Sequence, residues 1–347
     1  MTYDGRTRVV VMARPETMAL DLIMRDIPRL KQGEALVRIR NAGICGTDLH
    51  IICWNAWAAK SYSPPFALGH ELCGEIVDLK DTGPFKVGDR VTAETHLACD
   101  TCYQCKMGRG HTCDNLRTFS RLDQGAFADY SVVPVKLLRL VPDGLDDRTA
   151  SVMEPIGIAM RAVKEAACSG EAILVSGCGP IGLFAVAAAK YYGARDIVAC
   201  DPVSDRRDIA IRMGANVALD PIDQDVVQHS NSRTAGNGVA CSVETSGVTS
   251  ALAGAFRATR KGGRVITAGL PAEDTPIDLA GQIVLREISL HGIYGRKLDE
   301  TWLDVETAVN SGLNMSEVIT HDFELEDYIS AIQTAQSGKS GKVVFKL

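Results

Sequence analysis

Ala172-Ile-Leu-Val-Ser-Gly177-Cys-Gly179-Pro-Ile-Gly182 decides how the C-terminal half is read. A short apolar run enters Gly-x-Gly-x-x-Gly, and an apolar-rich helical stretch follows over 181–192. In this pattern Gly177 allows the tight turn, Gly179 lets the backbone approach a pyrophosphate, and Gly182 permits close helix–strand packing. The helix N-terminus then offers free N–H groups and a positive dipole end to phosphates. A second strand, 196–200, leads to Asp201, nineteen residues beyond Gly182, where an acid takes the ribose hydroxyls of NAD and repels the 2′-phosphate of NADP. Arg206 and Arg207 follow, and an arginine here either stacks on adenine or holds a 2′-phosphate. The expected cofactor is NAD, with Arg206 stacking.

Around this fingerprint the chain alternates strand and helix. Strands are expected at 172–176, 196–200, 216–219, 239–243, 264–268 and 288–291, with helices at 181–192 and 206–213. Six short strands with crossovers make a doubly wound parallel sheet. The first 155 or so residues differ, reading as short strands (8–12, 34–40, 73–79, 90–93, 128–133) broken by Gly and Pro. The last residues return to mixed character and end in a strand at 343–346. The fold class is therefore α/β, with a β-rich domain and a nucleotide domain.

The 347 residues suffice for two domains with full cores. With 46% hydrophobic and 23% charged residues the chain is ordinary globular protein, and a net charge of −6 argues against a nucleic-acid partner. No N-terminal apolar signal is seen, and the longest apolar run, 181–189, is far short of the ~20 residues that span a bilayer. A cytoplasmic protein with no membrane partner is expected. In that compartment the 11 cysteines point to metal binding or catalysis before disulfides.

Four of them, Cys99-x2-Cys102-x2-Cys105-x7-Cys113, suit a closed tetrahedral zinc site that organises a loop. An iron–sulfur cluster is the rival, although Asp114 stands where ferredoxin-like spacings carry proline. Further metal-ligand types occur in Gly43-Ile-Cys45-Gly-Thr47-Asp-Leu-His50, Gly69-His70-Glu71 and Met153-Glu154-Pro155. Taken singly, Cys45 reads as a core thiol, His70 as an interior histidine and Glu154 as a surface helix residue.

Together with the nucleotide fingerprint and the four-cysteine loop, these segments resemble the zinc-dependent medium-chain alcohol dehydrogenase superfamily. Ile44-Cys-Gly-Thr-Asp-Leu-His50, Trp54-x-x-Trp57, Glu94-Thr-His96, Gly292-Ile-Tyr-Gly-Arg296, Glu300-Thr-Trp302 and Ser340-Gly-Lys-Val-Val-Phe are closest to its threonine 3-dehydrogenase branch. The resemblance implies a GroES-like β-rich catalytic domain over 1–156 and 297–347, with a structural zinc loop at 99–113, and a Rossmann NAD-binding domain over 157–296. It implies two zinc ions per chain, one held by Cys45, His70 and Glu71 and one by Cys99, Cys102, Cys105 and Cys113. Glu154 becomes an exchangeable ligand or proton-relay acid, Thr47 and His50 the relay, and His96 a neighbour of the substrate. NAD is expected at Gly177, Gly179, Pro180, Ile181, Gly182, Asp201, Arg206, Ala268, Gly269, Leu270, Ile293 and Tyr294. The quaternary expectation is a homotetramer.

The implied reaction oxidises a secondary alcohol to a ketone, with hydride passing to the nicotinamide. L-Threonine is the first substrate candidate, and a polyol, sugar acid or other anionic secondary alcohol of the sorbitol dehydrogenase type is the second. Two departures keep the second open. The family's Gly-Asn-Ala-x-x-(His or Asp) run reads Gly157-Ile158-Ala-Met-Arg161 here, and Ser120-Arg121 replaces Gly-Val. Arg121 is a candidate cation beside the substrate, or else a loop arginine. A non-enzymatic zinc and nucleotide-binding redox sensor is the third reading. Cys53, Cys73, Cys168, Cys200 and Cys241 are expected to serve packing only, whereas oxidation of Cys178, inside the phosphate turn, could block NAD.

Overall fold

The computed structural model describes residues 5–122, 124–271 and 273–347, apart from the side chains of Ser120 and Arg121. The chain divides into two units: one runs to Glu154 and takes in His321–Ser337 and Lys342–Leu347, and the other comprises Pro155–Thr320 and Gly338–Gly341.

In the first unit, strand Glu34–Gly43 pairs antiparallel with Glu71–Lys80, Tyr130–Pro134 and the C-terminal strand Lys342–Lys346. The seven-stranded sheet is extended by Arg90–Ala93, Leu138–Leu140 and Ile319–Glu324, of which the residues from His321 belong to this unit. Val37, Ile39, Leu72, Ile76, Val91, Phe127 and Phe345 fill its core. Arg6–Met12, Leu20–Asp26 and Phe66–Ala67 form a separate three-stranded sheet. Leu20–Asp26 is a strand beyond those expected, largely exposed and without the apolar alternation that marks a half-buried strand.

The second unit carries the six expected strands, at Ala172–Ser176, Asp196–Cys200, Val217–Leu219, Val239–Glu244, Thr259–Thr267 and Ser289–Gly292. All pair in parallel, and counted along the chain their order across the sheet is 3-2-1-4-5-6. The reversal beside the first strand is the switch point where a doubly wound sheet takes its ligand. The fifth strand begins at Thr259 rather than at 264, since Thr259 pairs with Val239 ahead of an irregularity in register.

The expected return to the β-rich domain at 297 falls instead at His321. Residues 297–320 stay with the nucleotide unit, where Lys164 pairs with Glu300 and Asp304, and Arg212 with Glu317. Among the described residues, no helix is long and apolar enough to cross a membrane.

Candidate functional site

Antiparallel pairing brings the first constellation together. Gly43 lies opposite Glu71 in register, and Cys45, two residues beyond Gly43, is the N-cap of helix Gly46–Ile52. A β-carbon on Gly43 would run into Glu71 Oε2, so a side chain at this crossing would displace the Glu71 carboxylate. The ligand atoms of Cys45, His70 and Glu71 lie within 4.8 Å of one another.

Asp48, wholly buried, organises two of the three. Its Oδ2 accepts the Cys45 N–H at 2.9 Å, and its Oδ1 lies 3.3 Å from His70 Nδ1. A carboxylate on Nδ1 orients the ring and leaves Nε2 as the nitrogen for a metal. Burial works against a charged His70, but Asp48 and Cys45 outweigh it and raise its pKa well above the ordinary range. Lys342 Nζ donates to Glu71 Oε1 at 2.6 Å, while Glu71 Oε2 is buried with no hydrogen-bond partner among the described residues. A thiol, an imidazole and a carboxylate oxygen left open form a donor set that fits zinc.

Neither Asp48 nor Lys342 was assigned a role from sequence. Asp48 lies inside the quoted motif, three residues from Cys45, and that place is the signal by which it could be found. Lys342 lies in the Ser340-Gly-Lys-Val-Val-Phe run, where the resemblance gives the lysine no role.

Glu154 is no surface residue. It is 3% exposed, and Thr95 Oγ1 donates to its Oε1 at 2.9 Å. Glu94 Oε1 accepts the N–H groups of Thr95 and His96 at 2.9 and 2.8 Å, fixing the turn that carries His96. Thr47 and His50 stand three apart on one helix face, with Thr47 half-buried, and His50 exposed with Nδ1 3.2 Å from Asn55 Nδ2. Arg121's side chain lies outside the described residues.

The four cysteines of the loop also converge, their sulfurs within 4.8 Å of one another. The Cys102 N–H donates to Cys99 Sγ at 3.4 Å, and the Cys99 and Asn115 N–H groups donate to Cys113 Sγ at 3.4 and 3.3 Å. The Thr101 hydroxyl and nearby N–H groups hold the Cys99 thiol at about 5, which favours the thiolate that binds metal. Four sulfurs leave no open position, as in a structural zinc site.

In the nucleotide unit Gly177 turns at φ +88°, and a β-carbon on Gly182 would overlap the Gly177 carbonyl oxygen. Helix Pro180–Tyr191 starts there, with Gly179 as its N-cap. Asp201 accepts the N–H of Cys178 at 2.7 Å and of Val203 at 2.9 Å, tying the glycine turn to the second strand's end. Two such bonds do not exhaust a carboxylate's acceptor capacity. Arg206 Nη1 lies 4.0 Å from Asp201 and its Nε donates to the Ser340 carbonyl, while Arg207 is held by the Asp201 carbonyl and Asp220. Ala268, Gly269, Leu270, Ile293 and Tyr294 follow the fifth and sixth strands, on the same sheet edge as Gly177.

Two cysteines differ from expectation. Cys178 is fully buried, and burial with the Asp201 charge pushes its thiol well above the ordinary range, so it is a packing residue rather than a reactive one. Cys53 is exposed at the end of helix Gly46–Ile52 and does not pack in the core.

Residues 31–143 match the alcohol dehydrogenase GroES-like domain model, and residues 180–311 match the zinc-binding dehydrogenase model. An L-threonine 3-dehydrogenase of Pyrococcus horikoshii is 37% identical over 345 residues, covering 98% of each chain. The chain belongs to the zinc-dependent medium-chain alcohol dehydrogenase superfamily. Among solved structures of the superfamily's fold, 2R,3R-butanediol dehydrogenase of Bacillus subtilis superposes with a TM-score of 0.87 at 25% identity, covering 98% of this chain and 99% of that one. An Escherichia coli structure described as a short chain alcohol dehydrogenase complexed with NADH gives a TM-score of 0.89 at 25% identity, covering 99% and 100%. The two units are thus the GroES-like and Rossmann domains of a zinc-dependent dehydrogenase, an enzyme that oxidises an alcohol with a nicotinamide cofactor.

Proposed function

We propose that the chain oxidises L-threonine at its secondary alcohol, giving 2-amino-3-oxobutanoate, NADH and a proton. The observation that carries this reading is the likeness to L-threonine 3-dehydrogenases over 98% of the chain, joined to an intact Cys45–His70–Glu71 trio. Zinc, when bound there, makes an alcohol acidic enough to ionise near neutral pH. Thr47 and His50 carry the released proton toward water, His50 being exposed. Glu154, buried against Thr95, serves as an exchangeable ligand or relay acid, while His96 and Arg121 lie near the substrate. Cys99, Cys102, Cys105 and Cys113 hold a second zinc. Gly177, Gly179, Pro180, Ile181 and Gly182 bind the pyrophosphate. The nicotinamide half of the cofactor contacts Ala268, Gly269, Leu270, Ile293 and Tyr294.

Asp201 selects NAD over NADP through the ribose hydroxyls, with Arg206 stacking on adenine. Asp201→Ala therefore weakens NAD more than NADP in steady-state kinetics; an unchanged cofactor ratio contradicts the ribose role.

A second substrate reading, a polyol, sugar acid or other anionic secondary alcohol, is favoured by Ile158 in place of the family's asparagine and by Ser120-Arg121 in place of Gly-Val. NADH formation from L-threonine, 2,3-butanediol, sorbitol and sugar acids separates the two. Turnover of L-threonine supports the first, and silence with it beside turnover of another alcohol selects the second.

Two further readings concern the setting. The edge strand Ser289–Gly292 is exposed along its whole length, with Val284, Leu285 and Leu290 exposed around it. An uncovered sheet edge beside apolar side chains supports a homo-oligomer, and we place it as a homotetramer. The acidic chain and its unpaired cysteines suit the cytoplasm.

A further inference from the structure

Helix Met153–Ala166 presents Gly157, Arg161 and Glu165 at intervals of four, and so on one face. Each meets the short segment that follows the sixth strand of the nucleotide sheet. Arg161 Nη1 donates to the Tyr294 carbonyl at 2.9 Å and to the Gly295 carbonyl at 3.2 Å. Glu165 Oε1 pairs with Lys297 Nζ at 2.6 Å. Gly157 leaves room for the Arg296 side chain, since a β-carbon there would lie 2.7 Å from Arg296 Cδ. Residues 294 to 297 are thus gripped one after another. On the other side the Ile293 N–H donates to the Thr267 carbonyl at 2.8 Å, anchoring the segment's start to the sheet.

Arg161 stands where the family's polar residue would be, and it is only 7% exposed. Its Nε has no hydrogen-bond partner among the described residues and lies 4.0 Å from Glu165. A buried guanidinium spent on two backbone carbonyls fixes main chain and presents little of itself to a ligand.

We propose that the Gly157–Arg161–Glu165 face is a clamp that sets the Ile293–Tyr294 backbone for the nicotinamide, making Arg161 a positioning residue for the cofactor and not a contact of the alcohol. The inference rests on the assignment of Ile293 and Tyr294 to the nicotinamide made under Proposed function. Removing Arg161 frees two carbonyls and loosens the segment, a change felt by the cofactor ahead of the substrate.

NADH fluorescence titration of the zinc-loaded full chain tests the clamp. Arg161→Leu is expected to weaken NADH by on the order of tenfold, with the alcohol KM at saturating NAD unchanged. Arg161→Lys, which can reach one carbonyl, recovers part of the affinity. Wild-type NADH affinity in the leucine variant, or an alcohol KM that rises in its place, overturns the proposal. Should that variant fail to fold, Lys297→Met carries the test: weaker NADH supports the clamp, and unchanged affinity overturns it. A wild-type chain that binds no NADH would instead sink the nucleotide-site reading on which the clamp depends.

Discussion

Glu71 and Lys342 form a 2.6 Å ion pair with side chains 0% and 2% exposed, joining positions 271 residues apart. One carboxylate oxygen is committed to the lysine, and the other is buried with no hydrogen-bond partner among the described residues. Lys342 thereby holds the carboxylate in place and offsets a charge that burial disfavours. Burial pushes the Glu71 carboxyl up against the pull of Lys342.

Lys342→Met is expected to destabilise the first unit by about 3–5 kcal/mol, the usual result of leaving one partner of a buried pair alone. Urea unfolding followed by circular dichroism measures it, and a matched zinc assay should show lowered occupancy of the Cys45 centre. The double change Lys342→Met with Glu71→Gln should recover much of the stability but none of the zinc.

Asp147 sits where three strands of the first unit meet, taking Arg90 at 2.6 and 2.9 Å, Arg40 at 3.1 Å and the Cys73 thiol at 3.6 Å. Burial works to raise its carboxyl, and the two guanidiniums outweigh burial and hold it below the ordinary range. A depressed folded pKa adds stability that is complete above the unfolded value, about pH 4, and is lost as pH falls through the folded value. Asp147→Asn should therefore lower stability by about 1–3 kcal/mol at neutral pH. The gap to wild type should close below about pH 4 in melts across an acid series.

Gly182→Ala places a methyl against the Gly177 carbonyl. The helix must shift off the strand, a strain of about 1–3 kcal/mol. The expected outcome is a lower melting temperature together with NADH binding weakened by about tenfold or more. Wild-type affinity would show that the turn tolerates a side chain.

Local patterns were readable and distant pairings were not. The strand 172–176, its glycine turn, the following helix and Asp201 obey short-range rules, and each formed at its expected place. The cysteine loop was readable for the same reason, since its four ligands fall within fifteen residues. Cys45, His70 and Glu71 came from motif resemblance, and the antiparallel pairing of Gly43 with Glu71 explains how they meet. Lys342 falls in a run that carries the resemblance, but its role is hidden there, because its partner is fixed only once the C-terminal strand pairs with Glu34–Gly43. Arg161 showed its chemistry as a cation but not its target, which is main chain from beyond the sixth strand. The return at 321 rather than 297 keeps helix Asp299–Asn310, with Trp302, Val305 and Ala308 buried, in the nucleotide unit, a packing choice that no local pattern announces.

The most direct test of a zinc-dependent oxidation at Cys45, His70 and Glu71 is to measure zinc content and NADH formation together on Cys45→Ser. The account predicts a folded chain that keeps one zinc on its four loop cysteines and has lost turnover of the alcohol that the wild type, with two zinc ions, oxidises. A serine variant with wild-type turnover would contradict it.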